Sequence, residues 1–315
     1  SMTNHILVSI GIVIPTVLNL FSAAIVSKTE IYVVALKLII LILIVAIGFS
    51  AVEPQRITPN SWPSFLSIVG AGMIIFVAFE GFELIANTSA SIKNYQITLP
   101  RAYYISVLFV ILLYVLIAVI VVGSLSPNKI AAAQDFALAE AARPTLGQFG
   151  FTLVGITAVL ATFSAINSTL YGSARLSYSI ATEGELPKNF EHKVWNQPIG
   201  LLITSGAALA LANLIDLSSI SMMASAIFLI IFALVNLANF VQYKAAKSNR
   251  MIAICGVLLC VVALLALIVH VVQNNPSQLW ILIGFIGLAG LLEGGYILFL
   301  RKEGQNERIR IAKQD

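Results

Sequence analysis

A succession of long apolar runs constrains this chain more than any other feature. A helix needs about 20 apolar residues to cross the hydrocarbon core of a bilayer. Runs of that order recur at 6–26, 31–52, 66–89, 103–124, 150–181, 199–215, 219–242, 251–272 and 279–300. The 150–181 run is long enough to pass beyond the membrane on one side, and the 199–215 run is short. Turn-forming residues punctuate the joints: Glu53-Pro54, Thr58-Pro59-Asn60, Ser126-Pro127-Asn128, Gln197-Pro198 and Asn274-Asn275-Pro276. Composition agrees, with 59% hydrophobic and 10% charged residues against roughly 25% charged in a soluble domain. The solvent for so much apolar surface is lipid. These observations predict an all-α integral membrane protein of about nine transmembrane helices, folded as one transmembrane domain over 1–315 with a cytoplasmic tail at 301–315.

The charges work as topology signals. Net charge is +4, but the basic residues sit between apolar runs and form no patch for nucleic acid. With the N-terminus placed outside, 15 of the 18 lysines and arginines fall in inner segments. Only Arg56, Lys129 and Arg143 fall outside. The positive-inside rule therefore predicts an external N-terminus and a cytoplasmic C-terminus in the cell membrane. The first run carries no basic flank and no small-residue cleavage site, so it does not read as a signal peptide. An odd number of spans starting on the outer face leads to the expectation that helices upstream are missing.

Several chemistries are disfavoured. Cys255 and Cys260 lie five apart in one apolar run and point to different helix faces, which suits neither a disulfide nor a metal. His5, His192 and His270 are far apart in sequence. No phosphate-binding loop, dinucleotide fingerprint, nucleophile elbow or zinc spacing is present, so no enzyme activity and no cofactor are expected.

Ionisable groups inside spans are costly and default to functional candidates. Glu80 and Glu83 flank Gly81 in Phe-Val-Ala-Phe-Glu-Gly-Phe-Glu, with polar Asn87, Thr88 and Ser89 following. Either the helix is intact and buries both acids in interhelical hydrogen bonds, or it is broken there beside a cavity. Lys37 lies about 9 Å into the second run at 1.5 Å per residue. It is either a lysine snorkelling to the headgroups or a buried ammonium that takes up and releases a proton. Glu293, beside Gly290 and Gly294, reads as a helix-packing or interfacial residue. Ala161, Ser164, Ser168, Gly172 and Arg175 form a small and polar stripe, either packing glue or ion ligands. Residues 129–143 predict a short helix across the outer face, either a connector or a lid.

Taken together, these residues resemble the amino acid–polyamine–organocation superfamily, in particular its bacterial and archaeal amino-acid permeases. Phe76-Val77-Ala78-Phe79-Glu80-Gly81-Phe82-Glu83, running on to Lys93-Asn94 and Leu99-Pro100-Arg101-Ala102, is similar to the family's sixth helix, broken at an F-x-G-F element. Tyr95 replaces the usual proline there, and Ala90 and Ser91 stand where acids are common. Asn19-Leu20-Phe21 with Ala35-Leu36-Lys37-Leu38 looks like the junction of the fourth and fifth helices. Ser173-Ala174-Arg175-Leu176 with Ala181-Thr182-Glu183-Gly184-Glu185-Leu186-Pro187 looks like the inner end of the eighth. The resemblance covers about 10–245.

The resemblance implies a partial leucine-transporter-type fold of two inverted five-helix repeats. Residues 6–52 would end the first repeat, 66–242 would form the second and 251–300 would be the last two helices, with helices one to three absent. It implies that the backbone of Ala78, Phe79, Glu80, Gly81 and Phe82 meets an amino-acid substrate, and that Phe79 and Phe82 wall its pocket. It places Lys37 at a cation position, with Ser164 and Ser168 near it, and these residues and Glu83 are assigned to ion or proton coupling. The implied function is secondary active transport of amino acids or related amines by alternating access. Coupling would be to protons or by exchange, with sodium less favoured. The competing reading is a truncated, transport-inactive membrane fragment or scaffold, and a channel ranks third. The expected partners are the substrate, a coupling ion and the lipid bilayer, with no nucleic acid.

Overall fold

The structure, a computed structural model, describes residues 2–59, 62–195 and 197–296; of residues 22–29 and 87–91 it describes the backbone. The tail predicted at 301–315 lies outside the described residues. The chain packs as two units, 1–62 with 81–209 and 63–80 with 210–315.

The first unit holds α1 (Met2–Gly48), α3 (Tyr95–Ser124), α4 (Pro127–Ala133), α5 (Ala137–Thr182) and the larger part of α6 (Gly200–Leu214), which passes into the second unit at Ala210. A two-stranded hairpin, β1 (Lys193–Val194) with β2 (Gln197–Pro198), lies between α5 and α6. Helices α1 and α5 run antiparallel. Leu20 packs with Leu170, Ala174 and Leu201 at one end, and Ile44 with Ala139, Ala142 and Val154 at the other. A third cluster joins Val45 to Leu113, Ile120, Leu125 and Ala141.

Two expectations are corrected in this unit. The runs at 6–26 and 31–52 lie on one unbroken 47-residue helix. The stretch between them, Ser-Lys-Thr-Glu, contains neither proline nor glycine, and polar residues alone do not end a helix. The helix predicted at 129–143 is two pieces, because Gln134 turns the chain with φ +46°. Pro144 does not stop the second piece. Gly147 does interrupt it, at φ +59° and ψ −148°. Ala139, Ala141 and Ala142 are buried, so this segment is packed into the unit.

The second unit holds α2 (Phe65–Ile74), α7 (Leu217–Val241), α8 (Arg250–Asn274) and α9 (Ser277–Gly295). Its core is Met222, Met223, Ala226, Leu229, Leu267, Val271 and Leu282, against which Met73, Ile74 and Phe76 pack. Asp216 caps α7, accepting from the Ser219 amide at 2.9 Å and the Ser219 hydroxyl at 2.6 Å. Those bonds, the hydroxyl's first, hold its carboxyl below the usual carboxylate range. Gly70 of α2 admits the ring of His270 from α8, where a β-carbon would come within 2.5 Å of Nδ1. His270 is thus a helix-contact residue. By contrast, Glu293 is exposed, and a β-carbon at Gly290 or Gly294 would meet nothing within 4 Å. The expected packing role of that trio is not found among the described residues.

Among the described residues, eight helical stretches are long and apolar enough to cross a membrane, two of them beginning on α1. The ninth predicted span, α6, has 15 residues, roughly 22 Å of helix against a core of about 30 Å. The protein is an all-α, multi-pass membrane protein.

Candidate functional site

The third predicted span is where helix geometry fails. Helix α2 ends at Ile74, and Ile75–Phe79 continues as a tighter 3₁₀ turn. Glu80 is extended at φ −70° and ψ 158°, and Gly81 has φ +114°. Phe82–Ser91 then resumes as a second 3₁₀ segment. The chain passes from one unit to the other at Glu80–Gly81. Glycine is needed there because L side chains avoid that φ. Of the two alternatives open at Gly81, the broken helix is the one found.

Each arm is held within its own unit. In the second unit, the Ser225 hydroxyl of α7 accepts from the Val77 amide at 2.9 Å and donates to the Ile74 carbonyl at 2.9 Å. It thus serves backbone groups that a regular α-helix would pair internally. Phe76 meets Phe232 edge-on at 6.3 Å. In the first unit, the Gly81 amide donates to Glu83 Oε2 at 2.7 Å, placing a carboxylate at the positive end of the second arm. Phe82 stands edge-on to Tyr103 at 5.8 Å, and the Tyr103 hydroxyl donates to the Glu83 carbonyl at 3.4 Å. Leu84 lies against Gly172 of α5. Both carboxylate oxygens of Glu80 are shielded from solvent.

A second polar cluster sits between α1 and α5. Lys37 Nζ donates to Ser164 Oγ at 3.0 Å, and the Ser164 hydroxyl donates to Glu30 Oε1. The hydroxyl thus links an ammonium to a carboxylate, and a change of charge at one end is felt at the other. Ser164 is 5% exposed, so the link is shielded. Ser168, one turn on, is exposed. Glu83, grouped with these residues on sequence grounds, has its carboxylate on Gly81.

Further along the same seam, Asn19 donates to Asn167 Oδ1 and to the Pro15 carbonyl. The Thr16 hydroxyl donates to the Ile12 carbonyl at 2.8 Å and lies 2.9 Å from the Ser205 hydroxyl of α6. Sequence reasoning missed Glu30 and Ser225. Glu30 stands at the edge of its run, where an acid reads as interfacial. Ser225 had a signal: Ser218, Ser221 and Ser225 recur at helical spacing on α7. Among the described residues, no group of three or more His, Cys, Asp or Glu is placed to hold a metal ion.

A broken apolar span held arm by arm, and a lysine half-buried on the seam of α1 and α5, belong to a multi-pass membrane protein. The amino acid permease profile matches residues 2–290, and the chain belongs to that family. It is 35% identical over 289 residues to an uncharacterized protein of Methanocaldococcus jannaschii, covering 90% of this chain and 66% of that one. It is 30% identical over 283 residues to the inner membrane transport protein YbaT of Escherichia coli, covering 88% and 65%. A methylthioribose transporter of Bacillus subtilis is 21% identical over 217 residues, covering 67% and 46%. The chain thus spans less than two thirds of the length of these relatives.

Proposed function

We propose that the protein moves amino acids or related amines across the cell membrane by alternating access, coupled to protons or by exchange. The observation that carries this reading is the break at Glu80–Gly81 inside an apolar span of an amino acid permease. Unwound backbone at membrane depth is tolerated only where protein or a cavity satisfies it. The carbonyls at the end of one arm suit an ammonium, and the amides at the start of the next suit a carboxylate. The Gly81 amide is held by Glu83, so the substrate carboxylate would compete with a side chain already in place. Phe79 and Phe82 would wall the substrate.

Lys37 carries the coupling in this reading. Protonated, it is matched by Glu30 through Ser164. Deprotonated, it leaves a half-buried carboxylate whose charge is unopposed, a difference large enough to bias a conformational equilibrium. The test is uptake of labelled amino acids into proteoliposomes, with the protein expressed from the whole reading frame that encodes it. Imposed proton or sodium gradients, or a preloaded counter-substrate, should drive accumulation. Lys37→Ala should flatten the pH dependence of uptake, and Glu80→Gln should change the preference between cationic and neutral substrates. No accumulation under any gradient would sink the function, whereas an unchanged pH profile in Lys37→Ala would remove only that lysine from the mechanism.

A further inference from the structure

The described lysines and arginines of the second unit are Lys244, Lys247 and Arg250, and all three lie within seven residues, in the turn from α7 to α8. The unit's described acids are elsewhere: Glu80 at the break, Asp216 capping the opposite end of α7, and Glu293 on α9. The turn is closed on itself. The Ser248 hydroxyl donates to Asn239 Oδ1 at 2.6 Å, the Ser248 amide donates to the Tyr243 carbonyl at 3.0 Å, and Lys247 reverses the chain at φ +50°. Asn249 caps α8, accepting from the Met251 amide at 2.8 Å.

Arg250 is oriented by two rings. Its guanidinium lies 4.3 Å from the centre of the Phe240 ring and 5.4 Å from that of Tyr243. Lys244 lies 6.0 Å from the Tyr243 ring. A guanidinium stacked on a ring keeps its N–H groups, which lie in its own plane, open to an acceptor. None of the three cations has an ion-pair partner among the described residues, and all three are exposed. Helices α7 and α8 are both long and apolar enough to cross a membrane, so the turn joining them stands at a bilayer surface. Val241, Met251 and Ile252, next to the cations in sequence, are exposed as well. Cations without acids call for an anionic headgroup, and bare apolar side chains beside them call for acyl chains.

We propose that the α7–α8 turn binds an anionic phospholipid, one whose phosphate is not offset by a headgroup ammonium. The phosphate oxygens accept from Arg250, Lys244 and Lys247 add positive charge around them, and the acyl chains lie along Val241, Met251 and Ile252. The stacked guanidinium separates this site from the general attraction of a basic loop to a charged surface, because it fixes where the phosphate sits. The site is independent of the proposed function: its ligand stays in the bilayer and is not carried across it.

Native mass spectrometry of the protein, expressed from its whole reading frame and titrated with dioleoyl phosphatidylglycerol or dioleoyl phosphatidylcholine, tests this. The two lipids share acyl chains and a phosphate and differ in the choline ammonium. Phosphatidylglycerol should bind saturably and roughly tenfold more tightly than phosphatidylcholine. Arg250→Gln should weaken phosphatidylglycerol roughly fivefold or more, the scale of one basic residue at an anionic bilayer surface, and leave phosphatidylcholine unchanged. Phe240→Leu combined with Tyr243→Leu keeps all three charges but removes the rings. It should also weaken phosphatidylglycerol, with phosphatidylcholine binding as the control for an intact fold. Lys129→Gln, at an exposed cation of the first unit, should leave the site unaffected. Equal binding of the two lipids overturns the proposal, as does phosphatidylglycerol binding unaltered in Arg250→Gln or in the double ring variant. An equal loss in Lys129→Gln overturns it too, because the effect would then be one of diffuse charge. Displacement of phosphatidylglycerol by glycerol 3-phosphate at the same concentration would mark a site for free phosphate and not for lipid, and so overturns it as well.

Discussion

Gly81 shows how much one residue can fix in this chain. Its φ of +114° is closed to side-chain-bearing residues even though a β-carbon there would meet nothing within 4 Å. The penalty for Gly81→Ala is therefore one of backbone conformation, of roughly 1–3 kcal/mol. Gly81→Ala should lower the thermal midpoint in detergent by that equivalent and reduce transport, while a Gly72→Ala control, at an equally open position with ordinary φ, leaves both intact. Equal effects of the two would show that the conformation at Gly81 does not matter. This position was legible in sequence because a glycine set between bulky aromatics and acids inside an apolar run signals a demand of the backbone. Glu30 was not legible. Its partner Ser164 is 134 residues away, and nothing local distinguishes it from an acid at a membrane surface.

The two arms beside Gly81 are wound as 3₁₀ rather than α, and hydrophobic pattern could not have shown this. Over the five residues of the first arm, periods of 3.0 and 3.6 place much the same side chains inward, and the second arm, half of it polar, has no apolar stripe to read. The choice falls to tertiary hydrogen bonds such as those of Ser225. Ser225→Ala would strand the Val77 amide and remove a donor from the Ile74 carbonyl, at a cost of about 1–3 kcal/mol. The expected outcome is a lower thermal midpoint and faster hydrogen exchange at Val77, with Ser225→Thr recovering part of each. Unchanged exchange at Val77 would show that the hydroxyl does not hold this arm. A similar limit applies to α1. Ser27, Lys28 and Thr29 read as a joint on polarity, but the residues that break a helix backbone are proline and glycine, and neither occurs between residues 22 and 29.

At the scale of the whole molecule, apolar run length and the order of motifs were enough for the fold class and the family, because both are properties summed over many residues. The division into two units was not visible, since it depends on which distant segments pack together. The proposed orientation makes its own prediction. With Cys255 and Cys260 replaced by serine, an impermeant maleimide should label Gln55→Cys from outside intact cells and Lys247→Cys only after permeabilisation. Labelling of both from the same side would overturn the topology.

The ten-residue second arm also has a mechanical property. A 3₁₀ segment rises about 2.0 Å per residue and turns about 120°, against 1.5 Å and 100° in an α-helix. Rewound as α-helix, Phe82–Ser91 would be about 5 Å shorter, and its far end would have turned by about 200° relative to Gly81. The segment is therefore a screw, in which a change of winding converts length into rotation without a hinge anywhere along it.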